Sequence, residues 1–122
     1  MDDDAAVLSV KTTVGKQSLR DLRKQKDVAI SEGVSNIEEQ WFKNSEIESV
    51  TIPASVTEIG KEAFSDCRNL RRVTFAAGSQ LKMIGEQSFS SCRVEEIVIP
   101  RSVTRIGKQA FSGCQELMQV SF

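Results

Sequence analysis

Three cysteines are the residues of this chain whose type and spacing could most readily support shared chemistry. Cys67, Cys92 and Cys114 recur at steps of 22 to 25 residues, so stacked coils of that length would bring the thiols close together. Neighbouring thiols can bind a metal or form a redox pair. The chain has no C-x-x-C pair and no histidine, so a zinc site would need a fourth ligand from elsewhere. Free cysteine also behaves as a small buried hydrophobe, and the regular placement favours packing over a metal or cofactor site.

The usual signatures of catalysis are missing from the sequence. There is no histidine or tyrosine, and there is no G-x-S-x-G motif, P-loop or glycine-rich dinucleotide turn. The adjacent acids Glu38 and Glu39, and Glu95 and Glu96, are expected on surfaces, with no evident cleft to perturb their pKa values. The sequence therefore predicts a protein that is not an enzyme and has no catalytic residues, metal or cofactor.

The cysteines belong to a repeat that organises the whole chain. The stretch from Val50 to Val73 recurs at steps of 22 to 25 residues, and a fixed period in this range is typical of a solenoid, whose coils bury their apolar faces by stacking. The length leaves room for four coils. One aromatic residue per coil is predicted to form a ladder of rings in the interior. The members of this ladder are Phe42, Phe64, Phe89 and Phe111.

Each coil carries an alternating segment that predicts a strand with one face inward. Ile47-x-x-Val50-x-Ile52 is one copy. These strands are expected to stack at about 4.8 Å as one parallel sheet. Pro53 and Pro100 should end their strands, because proline has no amide hydrogen to donate. The sheet would have about five rungs, at Val28, Val50, Val73, Ile97 and Val120.

The opposite side of each coil begins at a glycine. Gly60, Gly85 and Gly107 should provide either a positive φ or a close backbone approach. Lys61 to Cys67, and its copies, are long enough for one or two helical turns. The predicted fold is therefore an α/β repeat, a solenoid of about four coils with a parallel sheet on one face and short helical turns on the other. An insertion at Ala76 to Gln80 accounts for the 25-residue step in the repeat.

Residues 1–27 are predicted to form an N-terminal segment, and residues 28–122 the solenoid. Val7 to Val14 alternates as a strand would. Ser18 to Gln25 has a serine at a plausible N-cap, an acid three residues later and cations near its end, which predicts a short capping helix. Basic residues concentrated here could contact nucleic acid or an anionic membrane. Without interleaved aromatics, a solvated capping helix with neither partner is the preferred interpretation. The basic residues are Lys11, Lys16, Arg20, Arg23, Lys24 and Lys26.

The first coil departs from the pattern as an end repeat should. Glu38 replaces the glycine, Ser45 replaces the cysteine, and Trp41 stands where Ala63 stands in the next coil. A terminal coil has no predecessor to crowd it, so a large ring fits there and can cover the exposed end.

The motifs of each coil resemble a known family. Leu-x-x-Val-x-Ile-Pro, then Val-x-x-Ile-Gly, then Ala-Phe-x-x-Cys is similar to the leucine-rich repeats of the BspA-like, or Treponema pallidum, class, over about four fifths of the chain from Val28 to Phe122. The resemblance implies a right-handed leucine-rich repeat solenoid. Members are typically bacterial or protist cell-surface proteins implicated in adhesion, so it also implies a protein or matrix partner. The resemblance does not identify partner-binding residues in this chain, because the residues that match the family pattern are structural.

The outward residues of the strands are the candidate partner-binding residues. As a recognition strip they would bind a partner on the sheet face. The alternative is that the arginines and glutamates in this set pair with one another on an exposed surface, for about 0–1 kcal/mol each. A structural or self-assembling segment with no outside ligand is the alternative function. The candidate residues are Glu48, Ser49, Thr51, Arg71, Arg72, Thr74, Glu95, Glu96, Val98, Met118, Gln119 and Ser121.

Composition is that of an ordinary soluble surface, with 27% charged residues and a net charge of −1. No apolar run approaches the roughly 18 residues of a membrane span, and Met1-Asp2-Asp3-Asp4 is unlike the basic start of a secretory signal. We expect a cytoplasmic protein if the sequence is complete, and a cell-surface or secreted one if it is a fragment of a typical family member.

The last coil is expected to leave its stacking face open. Ile106, Phe111, Leu117 and Phe122 would meet water beside an unpaired strand edge, and such edges favour pairing with another chain. The sequence therefore predicts either further repeats or a cap beyond Phe122, or a homodimer through the last coil.

Overall fold

The computed structural model describes residues 7–8 and 21–122 as a parallel β-solenoid of about four coils. The strands are β1 (Val7–Leu8), β2 (Asp27–Ile30), β3 (Asn36–Ile37), β4 (Ser49–Ile52), β5 (Glu58–Ile59), β6 (Arg72–Phe75), β7 (Met83–Ile84), β8 (Glu96–Val98), β9 (Arg105–Ile106) and β10 (Gln119–Ser121). Coils 1 to 4 begin at strands β2, β4, β6 and β8 respectively, and β10 begins a further rung.

The strands form two sides of the solenoid, and every pairing is parallel. One side contains the alternating segments, in the orders β1-β2-β4-β6 and β10-β8. We call its outward surface the strand face. The second side is a continuous sheet in the order β3-β5-β7-β9, with Ile37 paired to Ile59 and Ile84 to Ile106. It is built from the short Val-x-x-Ile segments, which the sequence predicts as extended.

The core is a set of residue columns, one member per coil. The rungs at Val28, Val50, Val73 and Ile97 are no more than 7% exposed. The predicted ring ladder is confirmed: centroids lie 5.3 Å apart from Phe42 to Phe64, 5.1 Å from Phe64 to Phe89, and 5.6 Å from Phe89 to Phe111, with the rings within 5° of parallel.

The predicted helical turns after each glycine are wrong, and with them the α/β class. Residues 61–67 and their copies form consecutive turns, which we call the turn face. In coil 2, the amides of Glu62, Phe64 and Asp66 donate to carbonyls of coil 3, so only the alternate amides are free to close local turns. Glu62 and Asp66 have φ of 56° and 59°, a left-handed conformation that a helix excludes.

The repeat glycines allow a close approach between coils, and they do not have positive φ. A Cβ on Gly85 would lie 2.6 Å from the carbonyl oxygen of Ile59, and one on Gly60 would lie 2.8 Å from the amide nitrogen of Glu39. Both contacts are to backbone, which cannot move aside as a side chain could. Glu38 occupies the same position after β3, where the described part of this sheet has no earlier strand, so a side chain is accommodated there.

The predicted single sheet of five rungs is wrong in one respect, because the strand face is divided between β6 and β8. The division falls where the chain carries the insertion at 76–80, in which Gly78 has φ of 77°. The amide of Ala76 donates to the carbonyl of Ile52 at 2.9 Å, and that of Gln80 to Ala54 at 3.1 Å. These bonds hold the inserted loop on coil 2, and the side of β6 that faces β8 has no strand ladder.

Most of the predicted N-terminal segment lies outside the described residues. Of the predicted strand, Val7 and Leu8 pair with Ala29 and Ile30 of β2. Of the predicted capping helix, Asp21 and Leu22 have helical backbone, and Leu22 is fully buried. Of the basic residues, Lys11, Lys16 and Arg20 lie outside the described part.

The outer face of coil 4 is exposed, as the sequence predicts. Ile106 is 41% exposed and Phe122 is 73% exposed, whereas Ile84, the equivalent of Ile106 in coil 3, is completely buried. Phe111 and Leu117 are partly buried against the core.

Candidate partner-binding face

The predicted outward residues all lie on the strand face with their side chains outside the core. Ser49 and Ser121 are half-buried, and the others are exposed. Two of them are large apolar side chains: Val98 is 64% exposed and Met118 is 86% exposed. The alternation of the strands places them there, because successive side chains point to opposite faces of a sheet.

The arginines and glutamates of this face do not pair with one another. Within the described residues, the ion pairs join Lys43 to Glu62 at 3.6 Å and Arg68 to Asp66 at 3.7 Å, both on or beside the turn face. None joins Arg71 or Arg72 to the glutamates of the strand face. The charges of the strand face are therefore not neutralised by one another. Between the rungs, Ser49 instead donates its hydroxyl to Asp27 Oδ1 at 2.6 Å.

A groove of about 1010 Å³ lies on this face where the sheet is divided. It brings together six of the twelve predicted residues, and it leaves out Glu48, Ser49, Thr51, Met118, Gln119 and Ser121. The lining residues are Arg71, Arg72, Val73, Thr74, Phe75, Ala76, Gly78, Ser79, Glu95, Glu96, Val98, Pro100, Arg101 and Ser102.

Sequence reasoning missed the part of the groove that lies at the end of β6 and beyond the end of β8. Phe75, Arg101 and Ser102 line it, but none is an outward residue of a strand. The signal that could have found them is the 25-residue step, since an insertion beside one strand end changes the surface of the next coil.

The cysteine column is a packing feature. Cys67, Cys92 and Cys114 each donate the thiol to the carbonyl of the ladder phenylalanine of the preceding coil, at 2.9, 3.2 and 3.0 Å. Burial raises the pKa of all three thiols. A raised pKa keeps the thiol neutral, whereas a nucleophile needs the thiolate. No group of three or more potential metal-binding side chains forms within residues 7–8 and 21–122.

One side-chain contact on the turn face perturbs a carboxyl. The amide of Gln40 donates to Glu62 Oε1 at 2.6 Å and lowers the pKa of that carboxyl, with Lys43 and Lys61 acting in the same direction. Glu62 is a half-buried residue of the turn face, and its lowered pKa keeps the carboxylate ionised as the acceptor of this bond.

Among the residues that the structure describes, no helix has both the length and the hydropathy required to cross a membrane.

Comparison with known proteins gives a family match and several structural matches. A model of the BspA type leucine rich repeat region matches the sequence in six copies over residues 7–118. No curated protein matches the sequence of this chain.

Three solved structures illustrate the structural similarity. The pneumococcal vaccine antigen PcpA is 30% identical with a TM-score of 0.70, over 80% of this chain and 24% of that protein. A leucine-rich repeat protein from Bacteroides capillosus is 33% identical with a TM-score of 0.62, over 72% of this chain and 62% of that one. A leucine rich cell surface protein from Faecalibacterium prausnitzii is 28% identical with a TM-score of 0.55, over 80% of this chain and 36% of that protein. This chain thus spans less than two thirds of each.

Proposed function

The chain belongs to the BspA-type leucine-rich repeat family, and from this we propose that it is a non-catalytic protein-interaction module that binds a protein or matrix partner through its strand face. The observation that carries the proposal is the groove on this face. It gathers exposed cations at Arg71 and Arg72, exposed acids at Glu95 and Glu96, and the exposed apolar side chain of Val98. Mixed charge around an apolar centre is typical of a surface that recognises another protein.

The setting in which the chain would act is also part of the proposal. The F. prausnitzii relative is described as a cell surface protein. This supports a role for the present chain at the cell surface, where the partner would be a matrix component or a protein of another cell.

Reversing the charge of Arg71 and Arg72 is expected to weaken the binding of such a partner while leaving the fold intact. In Arg71→Glu/Arg72→Glu, two cations that make no ion pair with the face's own glutamates become acids. Affinity for a protein that binds this face should fall at least tenfold, about 1.4 kcal/mol. The melting temperature should change little, because both side chains are exposed. Surface plasmon resonance against purified matrix proteins, including fibronectin and collagen, measures the affinity.

Lys82→Glu/Lys108→Glu is the matched control, since it makes the same change in net charge at two exposed residues away from the strand face. Equal loss of binding by both double variants would indicate a net-charge effect. Unchanged binding by the arginine variant would exclude this part of the strand face from the interaction.

A second candidate function is self-assembly, and the open face of coil 4 favours it. Ile106, Val120 and Phe122 are 41%, 42% and 73% exposed on a surface shaped to stack on another coil. Burial of about 200 Å² of such surface gives about 5 kcal/mol before the cost of association is subtracted. If the chain assembles as a homodimer through this face, sedimentation at low micromolar concentration should show a dimer. A stable 13.5 kDa monomer would contradict this second function and leave the first untouched.

A further inference from the structure

We propose that the division of the strand face between β6 and β8 is a peptide-binding subsite. It would take an extended segment of a protein partner, with an apolar side chain against Val98 and an acidic side chain at Arg101. This inference rests on the proposed function, because it assigns the partner's contact to one place on the strand face.

Backbone groups at the division lack the bonds that their equivalents make elsewhere. The amides of Arg71 and Arg72 donate to the carbonyl of Glu48 at 2.8 and 3.2 Å. One coil further on from the division, the amides of Met118 and Gln119 donate to the carbonyl of Glu95 at 2.7 and 3.3 Å.

Between those two places the pattern fails. Within the described chain, the amides of Glu95 and Glu96 make no backbone hydrogen bond to the carbonyl of Arg71. Backbone polar groups are normally paired in a sheet, so the unpaired groups at the division can be satisfied by the main chain of an extended partner.

A serine hydroxyl in the groove is also without a partner. In coil 2, Ser55 donates its hydroxyl to the carbonyl of Val34 at 2.8 Å. Ser102 holds the same position in coil 4, and its buried hydroxyl oxygen has no hydrogen-bond partner among the described residues. A buried hydroxyl without a partner is costly, and the loss of the bond that Ser55 makes shows that the packing between coils also changes beneath the groove.

The groove differs from coil 2 at three outward positions, where exposed Glu96, Val98 and Arg101 replace Ser49, Thr51 and Ala54. Val98 and Arg101, at and beyond the end of β8, define the chemistry of the proposed occupant, while Glu96 lies at the start of that strand. Val98 adds an apolar contact surface, and Arg101 adds a cation that makes no ion pair within the described residues.

Those two positions also set the spacing of the occupant. Val98 is the last residue of β8 and Arg101 lies in the turn after Pro100, so their separation of three residues spans at most about 10 Å. A partner segment that runs along the strands would therefore carry its apolar and acidic side chains two to four residues apart. Most of the lining residues are exposed, so the groove suits an extended segment lying along the face.

The test uses a phage-displayed library of random seven-residue peptides, selected against the full chain. The loss variant is Val98→Thr/Arg101→Ala, which gives these two groove positions the residues of coil 2. The matched control is Thr51→Val/Ala54→Arg, which places the groove's residues where the sheet is continuous. Selected peptides should pair an apolar with an acidic residue two to four positions apart. Their affinity should fall at least tenfold in the loss variant and be unchanged in the control, with melting temperatures unchanged in both.

The other outcomes separate the subsite from the proposed function. Peptides that bind the loss variant as well as the original chain would overturn the subsite. If those peptides lose affinity in Arg71→Glu/Arg72→Glu, binding through the strand face would stand. A selection that enriches no peptide would also overturn the subsite, and the matrix-protein measurement would then decide the proposed function by itself.

Discussion

Phe89→Ala should lower the free energy of unfolding by about 3–5 kcal/mol, the usual cost of truncating a buried phenylalanine to alanine. The Phe89 ring is fully buried and lies between two others, 5.1 Å from Phe64 and 5.6 Å from Phe111. Its removal leaves a cavity in the middle of the column, where coils on both sides are fixed by backbone bonds and cannot collapse into the space. Urea denaturation followed by circular dichroism measures the change.

Phe111→Ala is the comparison within the same column. Phe111 is only partly buried, and among the described rings it stacks on one neighbour, Phe89. Its truncation should therefore cost clearly less. If Phe89→Ala cost under 1 kcal/mol, or cost no more than Phe111→Ala, the ring ladder would not be the core of the fold.

Gly85→Ala should be highly damaging for so small a change, with a cost of at least about 2 kcal/mol or failure to fold. The added Cβ would lie 2.6 Å from the carbonyl oxygen of Ile59 and 2.8 Å from the carbonyl carbon of Gly60. These backbone atoms belong to the preceding coil, so relief requires separating β7 from β5 where Met83 and Ile84 pair with Glu58 and Ile59. Thermal and urea unfolding measure the loss.

Glu38→Ala provides the control, because Glu38 holds the glycine position in coil 1. Glu38 is exposed, and the change should stay within about 0.5 kcal/mol. Similar costs at the two positions would show that the glycines are not needed for close approach between coils.

The column residues could be predicted from the sequence because the same residue type recurs at the same position of each 22- to 25-residue repeat. Phe64 and Phe89 are the same kind of residue at the same place in successive coils, and stacking requires that they meet. The stacking of Cys67 and Cys92 could be predicted for the same reason. The thiol bonds to the phenylalanine carbonyls could not be read in advance, because they depend on backbone carbonyls that carry no sequence signal.

The turn face was mispredicted because segment length alone does not distinguish a helical turn from two tight turns. Glu62 and Asp66 lie four residues apart with positive φ, and their polar side chains gave no helix-breaking signal as strong as glycine would. The bonds from Glu62, Phe64 and Asp66 to coil 3 are tertiary, and they override the local preference.

The division of the strand face was also beyond the sequence pattern. Val73 and Ile97 keep the inward apolar residue of a rung, so the repeat predicts an unbroken ladder. The longer loop at 76–80, five residues where coil 2 has three at 53–55, was visible in the sequence, but its effect depends on where the loop is anchored. The loop bonds to Ile52 and Ala54 of coil 2, and the groove that this leaves brought Arg101 and Ser102 into the candidate site.

Amide hydrogen exchange of the full chain, alone and with a selected peptide bound, tests most directly whether the divided strand face is the binding surface. In the free chain, the amides of Glu95 and Glu96 should exchange faster than those of Arg71 and Arg72, which are bonded to the Glu48 carbonyl. The bound peptide should slow exchange at Glu95 and Glu96 and leave the turn face unchanged. Equal protection of the two pairs in the free chain, or slowing confined to the turn face, would contradict a binding surface at the division between β6 and β8.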